Sequence, residues 1–149
     1  MQPSRVGVGA RTVPGVRLFV VDGADGDWSE LTSGGDAGGD AVRLVAPDLQ
    51  RAQRGRHRIR SERPDAEVIL DVTVAVAPDF HSVRDLAAID DGTLRYAGTV
   101  DGLTGLIADI GAAGVADGVT LISGPGRVDL RGLGYDVLAR LALRGRKTA

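Results

Sequence analysis

Short β-rich apolar runs alternate along this chain with stretches of helical periodicity. The runs that predict buried strands are residues 16–21, 42–46, 68–76 and 119–122. The third run, VILDVTVAV, is the strongest prediction, because β-branched residues dominate it and Pro64 and Pro78 bound it. Its apolar positions lie on both faces, and only Asp71 and Thr73 interrupt them. That pattern is typical of a parallel strand that is covered on both sides.

Helical patterns occupy the stretches between these strands. Asp48 is a suitable N-cap for a helix that extends to about residue 60. Thr99 is a suitable N-cap for a second helix, which carries a single apolar stripe at i, i+3, i+4 and i+7. That stripe consists of Leu103, Leu106, Ile107 and Ile110. Further expected elements are a helical turn at 28–31, a short helix at 81–89, an extended stretch at 94–96 and a last helix at 136–144 closed by Gly145.

The alternation of strands and helices predicts an α/β fold built from parallel βαβ units. The chain has 149 residues, which fits one domain. A complete (β/α)₈ barrel needs roughly 250 residues. About four parallel strands with flanking helices are therefore expected over 16–149, after a poorly ordered extension at 1–15.

Composition removes several classes of function. The chain contains no cysteine, which excludes disulfides, thiolate catalysis and cysteine-based metal sites. Two histidines are too few for a histidine-built metal site, so no metal is expected. The formal net charge of −2 gives no bulk attraction to nucleic acid or anionic lipid. No apolar run is long enough to cross a bilayer and no signal peptide is evident, so the default expectation is a cytoplasmic protein.

The C-terminal third carries a family resemblance. Residues 96–103 (YAGTVDGL), 106–110 (LIADI) and 113–121 (AGVADGVTL) resemble the penultimate helix and last barrel strand of the bacterial-luciferase-like flavin-dependent monooxygenases. The nitrilotriacetate and dibenzothiophene-sulfone monooxygenase branch is the nearest in pattern. In that family a Gly-Thr-Pro turn opens the helix, whereas Val100 stands in the place of the proline here. Residues 137–145 resemble the end of the family's terminal helix.

The resemblance extends upstream through residues 18–25, 40–46 and 65–76, which are similar to the fifth, sixth and seventh barrel strands. It implies half a (β/α)₈ TIM barrel, and FMN or F420 as the cofactor. It also implies that the loop after the first strand, Gly23, Ala24, Asp25 and Gly26, holds the flavin phosphate through backbone N–H groups. Asp25 stands where the family has a serine, and an ionised carboxylate repels phosphate and offers no donor. The alternative interpretation of this loop is an acidic turn and helix cap.

Two functions from different classes follow. The first is a luciferase-like flavin-dependent oxidoreductase or monooxygenase in truncated form, whose catalytic residues the sequence does not assign. The second is a non-catalytic relative that binds flavin or associates with itself. Half a barrel leaves two sheet edges and an apolar lumen face without partners, so a second copy or a complementary half-barrel chain is the expected partner.

A nucleic-acid-binding module is a weaker third alternative. It would use the basic residues Arg51, Arg54, Arg56, His57, Arg58, Arg60 and Arg63. No aromatic residue interleaves them, so base stacking has no support. The favoured interpretation is the solvated face of an outer helix paired with Asp48, Glu62 and Asp65, and we expect no nucleic-acid binding.

The remaining candidates have structural interpretations beside their functional ones. Asp71 and Thr73 would face a barrel lumen at the site, or would form a satisfied buried polar pair, which is favoured. His81 follows a strand end, where barrel active sites gather, but it is a single histidine. Asp90 and Asp91 are interpreted as a charged loop. Trp28 and Tyr96 are interpreted as packing residues.

Overall fold

The structure is a computed structural model that describes residues 16–22, 26–32, 40–76, 92–124 and 129–148. Six strands lie in these ranges: β1 Arg17–Asp22, β2 Asp27–Glu30, β3 Ala41–Leu44, β4 Glu67–Val76, β5 Leu94–Gly98 and β6 Gly118–Ser123. Three helices accompany them: α1 Leu49–Glu62, α2 Val100–Ala112 and α3 Leu130–Thr148.

All six strands belong to one curled sheet, with β4 at its centre. The main path runs β2-β1-β6-β4-β3. One edge of β4 pairs with β6, and its other edge pairs first with β3 and then with β5. Every pairing is parallel except the β1–β2 hairpin. The predicted α/β class with mostly parallel strands is therefore confirmed.

The core lies on one face of the sheet, against the helices. Alternate side chains of a strand point to opposite faces, and one set, typified by Leu18, Leu70 and Val119, packs against helical side chains in a single cluster. The predicted stripe of α2 is confirmed, because Leu103, Ile107 and Ile110 are fully buried and Leu106 is partly buried in this cluster. The apolar stripe of α2 therefore packs on the face of the sheet to which the alternate apolar residues of the strands point.

The two predicted N-caps are confirmed. A side-chain oxygen of Asp48 accepts a hydrogen bond from the backbone N–H of Arg51 at 2.7 Å. The hydroxyl of Thr99 accepts one from the backbone N–H of Gly102 at 3.0 Å. Each contact satisfies an N–H group that has no partner within its helix. The strand predictions at 42–46, 68–76, 94–96 and 119–122 match β3, β4, β5 and β6.

Two local predictions are wrong. The segment at 28–31 belongs to strand β2, because Trp28 pairs with Val21 across an antiparallel hairpin. Helix α3 begins at Leu130 rather than at 136, and it continues through Gly145. Tertiary packing outweighs the low helix propensity of Gly134, because the missing side chain lets α3 approach Leu31, whose Cδ1 lies 2.3 Å from where a Cβ would stand. The extension at 1–15 and the helix predicted at 81–89 lie outside the described residues.

The strand order also bears on the barrel interpretation. Strands β3, β4 and β6 lie side by side in the sheet in the order in which they follow along the chain, as the sixth, seventh and eighth strands of a barrel do, although β5 comes between β4 and β6 in sequence. Strand β1 lies beside β6 and not beside β3, whereas a fifth strand lies beside the sixth. The physical reason is that β1 turns directly into the antiparallel β2, and the described residues between β1 and β3 contain no crossover helix.

Candidate functional site

The face of the sheet opposite the helices carries polar side chains at its centre. Within the described residues the helices pack on the other face, so we call this one the helix-free face. Its members include Arg17, Phe19, Val21, Trp28, Glu30, Arg43, Ile69, Asp71, Thr73, Ala75, Thr120 and Ile122, as the strand registers place them. Phe19, Thr120 and Asp71 form one row across three neighbouring strands. In a barrel, the corresponding face lines the interior.

Asp71 is the buried acid of this face, and Arg43 is its partner. Nε of Arg43 donates to Oδ1 of Asp71 at 3.2 Å, and Nη2 donates to Oδ2 at 2.7 Å. The Asp71 side chain is 5% exposed, whereas that of Arg43 is 37% exposed. A buried carboxylate is costly unless it is paired and hydrogen-bonded, and a two-point guanidinium contact meets both needs.

Trp28 covers the centre of the same face. Its ring stacks on Phe19 with centroids 4.5 Å apart and planes inclined by 13°. Its Nε1 donates to Oγ1 of Thr120 at 2.9 Å. The guanidinium carbon of Arg43 lies 5.6 Å from the Trp28 ring centroid, within cation–π range. We call Phe19, Trp28, Arg43, Asp71 and Thr120 the Arg43–Trp28 cluster.

The sequence interpretation of Asp71 and Thr73 is confirmed in its main point and wrong in one detail. Both side chains are buried and satisfied, but they are not partners of each other. Asp71 bonds Arg43, and the hydroxyl of Thr73 lies 3.1 Å from that of Thr93. Sequence reasoning missed Arg43 and Thr120. Arg43 could have been recognised as the one charged residue in the run VRLVA. A charged residue in a short strand needs a partner on its own face of the sheet.

The helix-free face is less open than a bare barrel lumen. Phe19 is 4% exposed and Ile69 is fully buried, whereas the sequence interpretation expects exposed apolar side chains here. Trp28 and Arg43 lie over the centre of the face, and this removes much of its apolar surface from water. The expectation of a bare apolar lumen is therefore wrong for the described part of the face.

A second ionic group lies on the same face, at the amino ends of the parallel strands. Arg17 donates to Glu30 at 2.7 Å and to Glu67 at 3.0 Å, which ties β1 to β2 and β4. The hydroxyl of Thr32 donates to the same Glu30 carboxylate. The hydrogen bonds to Glu30 raise the pKa of the Arg17 guanidinium above its ordinary value. Barrel sites lie at the opposite ends of the strands, so we interpret this group as structural.

The predicted phosphate loop lies in a different context from the one expected. Gly26 is an exposed turn residue with φ +67°, and it leads into β2 rather than into a helix. A helix N-terminus would have strengthened anion binding, and the hairpin supplies none. Gly23, Ala24 and Asp25 lie outside the described residues, as do His81, Asp90 and Asp91.

The basic residues of α1 divide into paired and solvent-facing groups. Arg56 donates to both carboxylate oxygens of Asp117, at 3.2 and 3.0 Å, and Arg63 donates to Asp40 at 3.1 Å. Arg51 lies 3.7 Å from Asp48, as predicted. The expected ion pairs to Glu62 and Asp65 do not occur among the described contacts. The exposed residues of the helix include Arg51, Arg54, His57 and Arg58, which agrees with a solvated face.

The described ranges contain neither a candidate metal site nor a candidate membrane-spanning helix. No group of three or more histidine, aspartate or glutamate side chains there is close enough to hold a metal ion. None of the helices α1 to α3 is both long and apolar enough to cross a membrane. The Arg43–Trp28 cluster offers hydrogen-bond donors and an aromatic surface, and its one carboxylate is occupied by Arg43. Its geometry is therefore that of a binding surface rather than of an acid–base pair.

Comparison with known proteins adds no relative. No protein-family profile, curated protein or solved structure matches the chain.

Proposed function

We propose that this chain is a half-barrel relative of the luciferase-like flavin-dependent oxidoreductases, and that it binds a flavin, FMN or F420, without catalysing monooxygenation by itself. The observation that carries the proposal is the helix-free face. A curled, mostly parallel sheet with buried polar residues on the face away from its helices has the character of a barrel interior.

Two further observations support the family assignment. Residues 96–121, which carry the resemblance, fold as a strand, a helix capped by Thr99 and the parallel strand β6. Strands β6, β4 and β3 are neighbours in the order that the eighth, seventh and sixth barrel strands have.

Flavin binding is proposed at the carboxyl end of β1. The turn at Gly26 is exposed and has a positive φ, so bare backbone lies open there. Backbone N–H groups of Gly23, Ala24, Asp25 and Gly26 would contact the phosphate. A bound flavin would supply the redox chemistry, and the chain would supply orientation and shielding. The four barrel strands without a counterpart here carry half of the loops that build such a site, which is why binding without turnover is proposed.

Titration of FMN and of F420 with the chain, followed by quenching of cofactor fluorescence, tests this. We expect weak saturable quenching by at least one of them. Asp25→Ser removes a like charge beside the phosphate, which is worth on the order of 1 kcal/mol near a surface, or up to about tenfold in Kd. Riboflavin is the matched control, because it lacks the phosphate and its Kd should be the same for both chains.

Four results would count against the proposal. If neither FMN nor F420 shows saturable quenching, the proposal of flavin binding is wrong. Tight binding by the unaltered chain would contradict the assignment of the phosphate to the loop at 23–26. An unchanged Kd for the Asp25→Ser variant would contradict it as well. Oxygen consumption by the chain with reduced FMN at enzymatic rates would instead show a complete oxidoreductase.

A second candidate function is association with another half-barrel, either a second copy or a complementary chain. It is favoured by the sheet edges: within the described ranges, the outer edges of β2, β3 and β5 pair with no further strand. Open edges are templates for pairing with another chain.

A further inference from the structure

We propose that Arg43 forms an oxyanion-binding site on the helix-free face, which takes the carboxylate or phosphate group of a small molecule. The site lies within β3 and β4, whereas the proposed flavin loop follows β1. It is therefore a separate site, and it does not depend on flavin binding.

The first argument is the donors that Arg43 still has. A guanidinium carries five N–H groups in a rigid fork. Asp71 accepts one from Nε and one from Nη2. Among the described residues, no other hydrogen-bond acceptor contacts Arg43. Because the guanidinium is planar and rigid, both N–H groups of Nη1 and the second N–H of Nη2 point away from Asp71. The side chain is 37% exposed, so a ligand has access to these donors.

The second argument is that the guanidinium is already held in place. Asp71 fixes it by two hydrogen bonds, and the Trp28 ring lies 5.6 Å from its central carbon. Phe19 and Thr120 fix Trp28 in turn. A long side chain normally loses rotamer entropy when it orders around a ligand. Here that loss occurs on folding, so a ligand meets a preorganised cation.

The third argument is the local balance of charge. Asp71 opposes an incoming oxyanion, but it is buried beneath the guanidinium. Arg95 pairs with Thr73 in the β4–β5 register, which places it on the same face, and it is exposed. The next acidic residue along β4 is Glu67, two positions before the register partner of Arg43 and so about 7 Å away along the strand, and it is paired with Arg17. Each of these two carboxylates near Arg43, Asp71 and Glu67, thus already has an arginine partner.

Trp28 makes the site directly observable. It is the only tryptophan of the chain, so intrinsic tryptophan emission reports on the ring beside Arg43 and on nothing else. We would titrate the full chain with inorganic phosphate and, separately, with acetate, using sodium chloride at matched ionic strength as the control. We expect a saturable change with phosphate, with acetate or with both, and none with chloride. A response to neither oxyanion overturns the proposal.

Two variants and one control decide whether Arg43 is the ligand-binding group. Arg43→Gln should weaken oxyanion binding at least about tenfold, since hydrogen bonds to a charged group are among the strong ones. Asp71→Asn should strengthen it several-fold, because removal of the opposing charge outweighs the loss of one of the two hydrogen bonds that hold the guanidinium. Arg63→Gln is the matched control, and it should leave the titration unchanged.

Each outcome of these variants has a defined meaning. A purely structural ion pair predicts lower thermal stability in both cluster variants and no gain in affinity for Asp71→Asn. An Arg43→Gln chain that keeps the response overturns the proposal, and so does a folded Asp71→Asn chain with unchanged or weaker binding. If circular dichroism shows that Asp71→Asn does not fold, Arg43→Gln alone decides.

Discussion

Gly118 stands where β6 leaves the helix-to-strand turn and meets β1 at close range. A Cβ at this position would lie 2.5 Å from the backbone oxygen of Arg17 and 2.8 Å from Cδ1 of Ile69. The first of these atoms belongs to a paired strand and cannot move alone. The first position of β6 therefore requires glycine for packing.

Gly118→Ala should lower the free energy of unfolding by about 3 kcal/mol, because overpacking forces β1 and β6 apart. Urea unfolding followed by circular dichroism measures this change.

Gly105→Ala, in α2, is the control for that substitution. Its new Cβ would lie 3.5 Å from Nη2 of Arg144, an ordinary contact. Higher helix propensity should make it neutral or stabilising by up to about 1 kcal/mol. Equal losses in the two variants would contradict this account of Gly118.

One carboxylate, that of Asp117, links helix α1 to the sheet by hydrogen bonds, in addition to the apolar contacts of the helix. Asp117 accepts from Arg56 of α1 and also from the backbone N–H of Val68 at 2.8 Å. Its side chain is 22% exposed, so these contacts are only partly screened by water. One residue thus links the helix, β4 and the turn before β6.

Asp117→Asn should reduce stability by about 1–2 kcal/mol, the range for a lost charged hydrogen bond at a partly buried site. Thermal and urea unfolding both measure it. The exposed Asp109 of α2 offers a control, Asp109→Asn, with an expected change below about 0.5 kcal/mol. A similar small change for Asp117→Asn would mean that the link contributes little.

The solvent-facing arginines of α1 bear on the question of nucleic acid. We expect no sequence-dependent nucleic-acid binding, because the chain is slightly acidic and no aromatic residue interleaves the arginines. Arg56 is bonded to Asp117, so the informative variant changes Arg51, Arg54 and Arg58 to alanine. Titration with labelled DNA and RNA at two salt concentrations should show equally weak binding by both chains. Salt-resistant, sequence-dependent binding that this variant loses would refute the expectation.

The elements that sequence predicted well are those whose signals are local. Thr99 caps α2 within three residues, and the α2 stripe needs only helical spacing. Strand β2 escaped prediction because Asp27, Ser29 and Glu30 have no strand pattern of their own, and Trp28 becomes extended through its pairing with Val21.

The candidate site followed the same rule. Asp71 was recognisable as a polar residue in an apolar strand, but its partner Arg43 lies 28 positions away. That partnership depends on the β3–β4 register, which places Arg43 beside Ile69 on the same face as Asp71. A one-residue shift of register would send Arg43 to the opposite face. The Arg43–Trp28 cluster therefore depends on the pairing of strands and not on a local sequence motif.

At the scale of the molecule, the open edges of the sheet determine the expected assembly. The described part of β2 ends in Asp27 and Glu30, and charged residues on an edge strand discourage pairing with another chain. The edge formed by β3 and β5 has more apolar residues, including Val42 and Leu94. We therefore expect association through this second edge.

Sedimentation velocity over a range of micromolar concentrations should reveal self-association of the isolated chain. A stable, well-folded monomer throughout that range would contradict the prediction. A complementary half-barrel chain, if it is the true partner, would convert such self-associated species into a one-to-one complex.

The pairing of β1 with β6 has a consequence for how the chain folds as it is synthesised. These two strands lie about a hundred residues apart in sequence, yet they are neighbours in the sheet. Strand β1 is synthesised long before its sheet neighbour β6, whereas β3, β4 and β5 pair with strands that are closer in sequence. Amide hydrogens of the hairpin should accordingly exchange with solvent before those of β4, as the part of the sheet that docks last and detaches first.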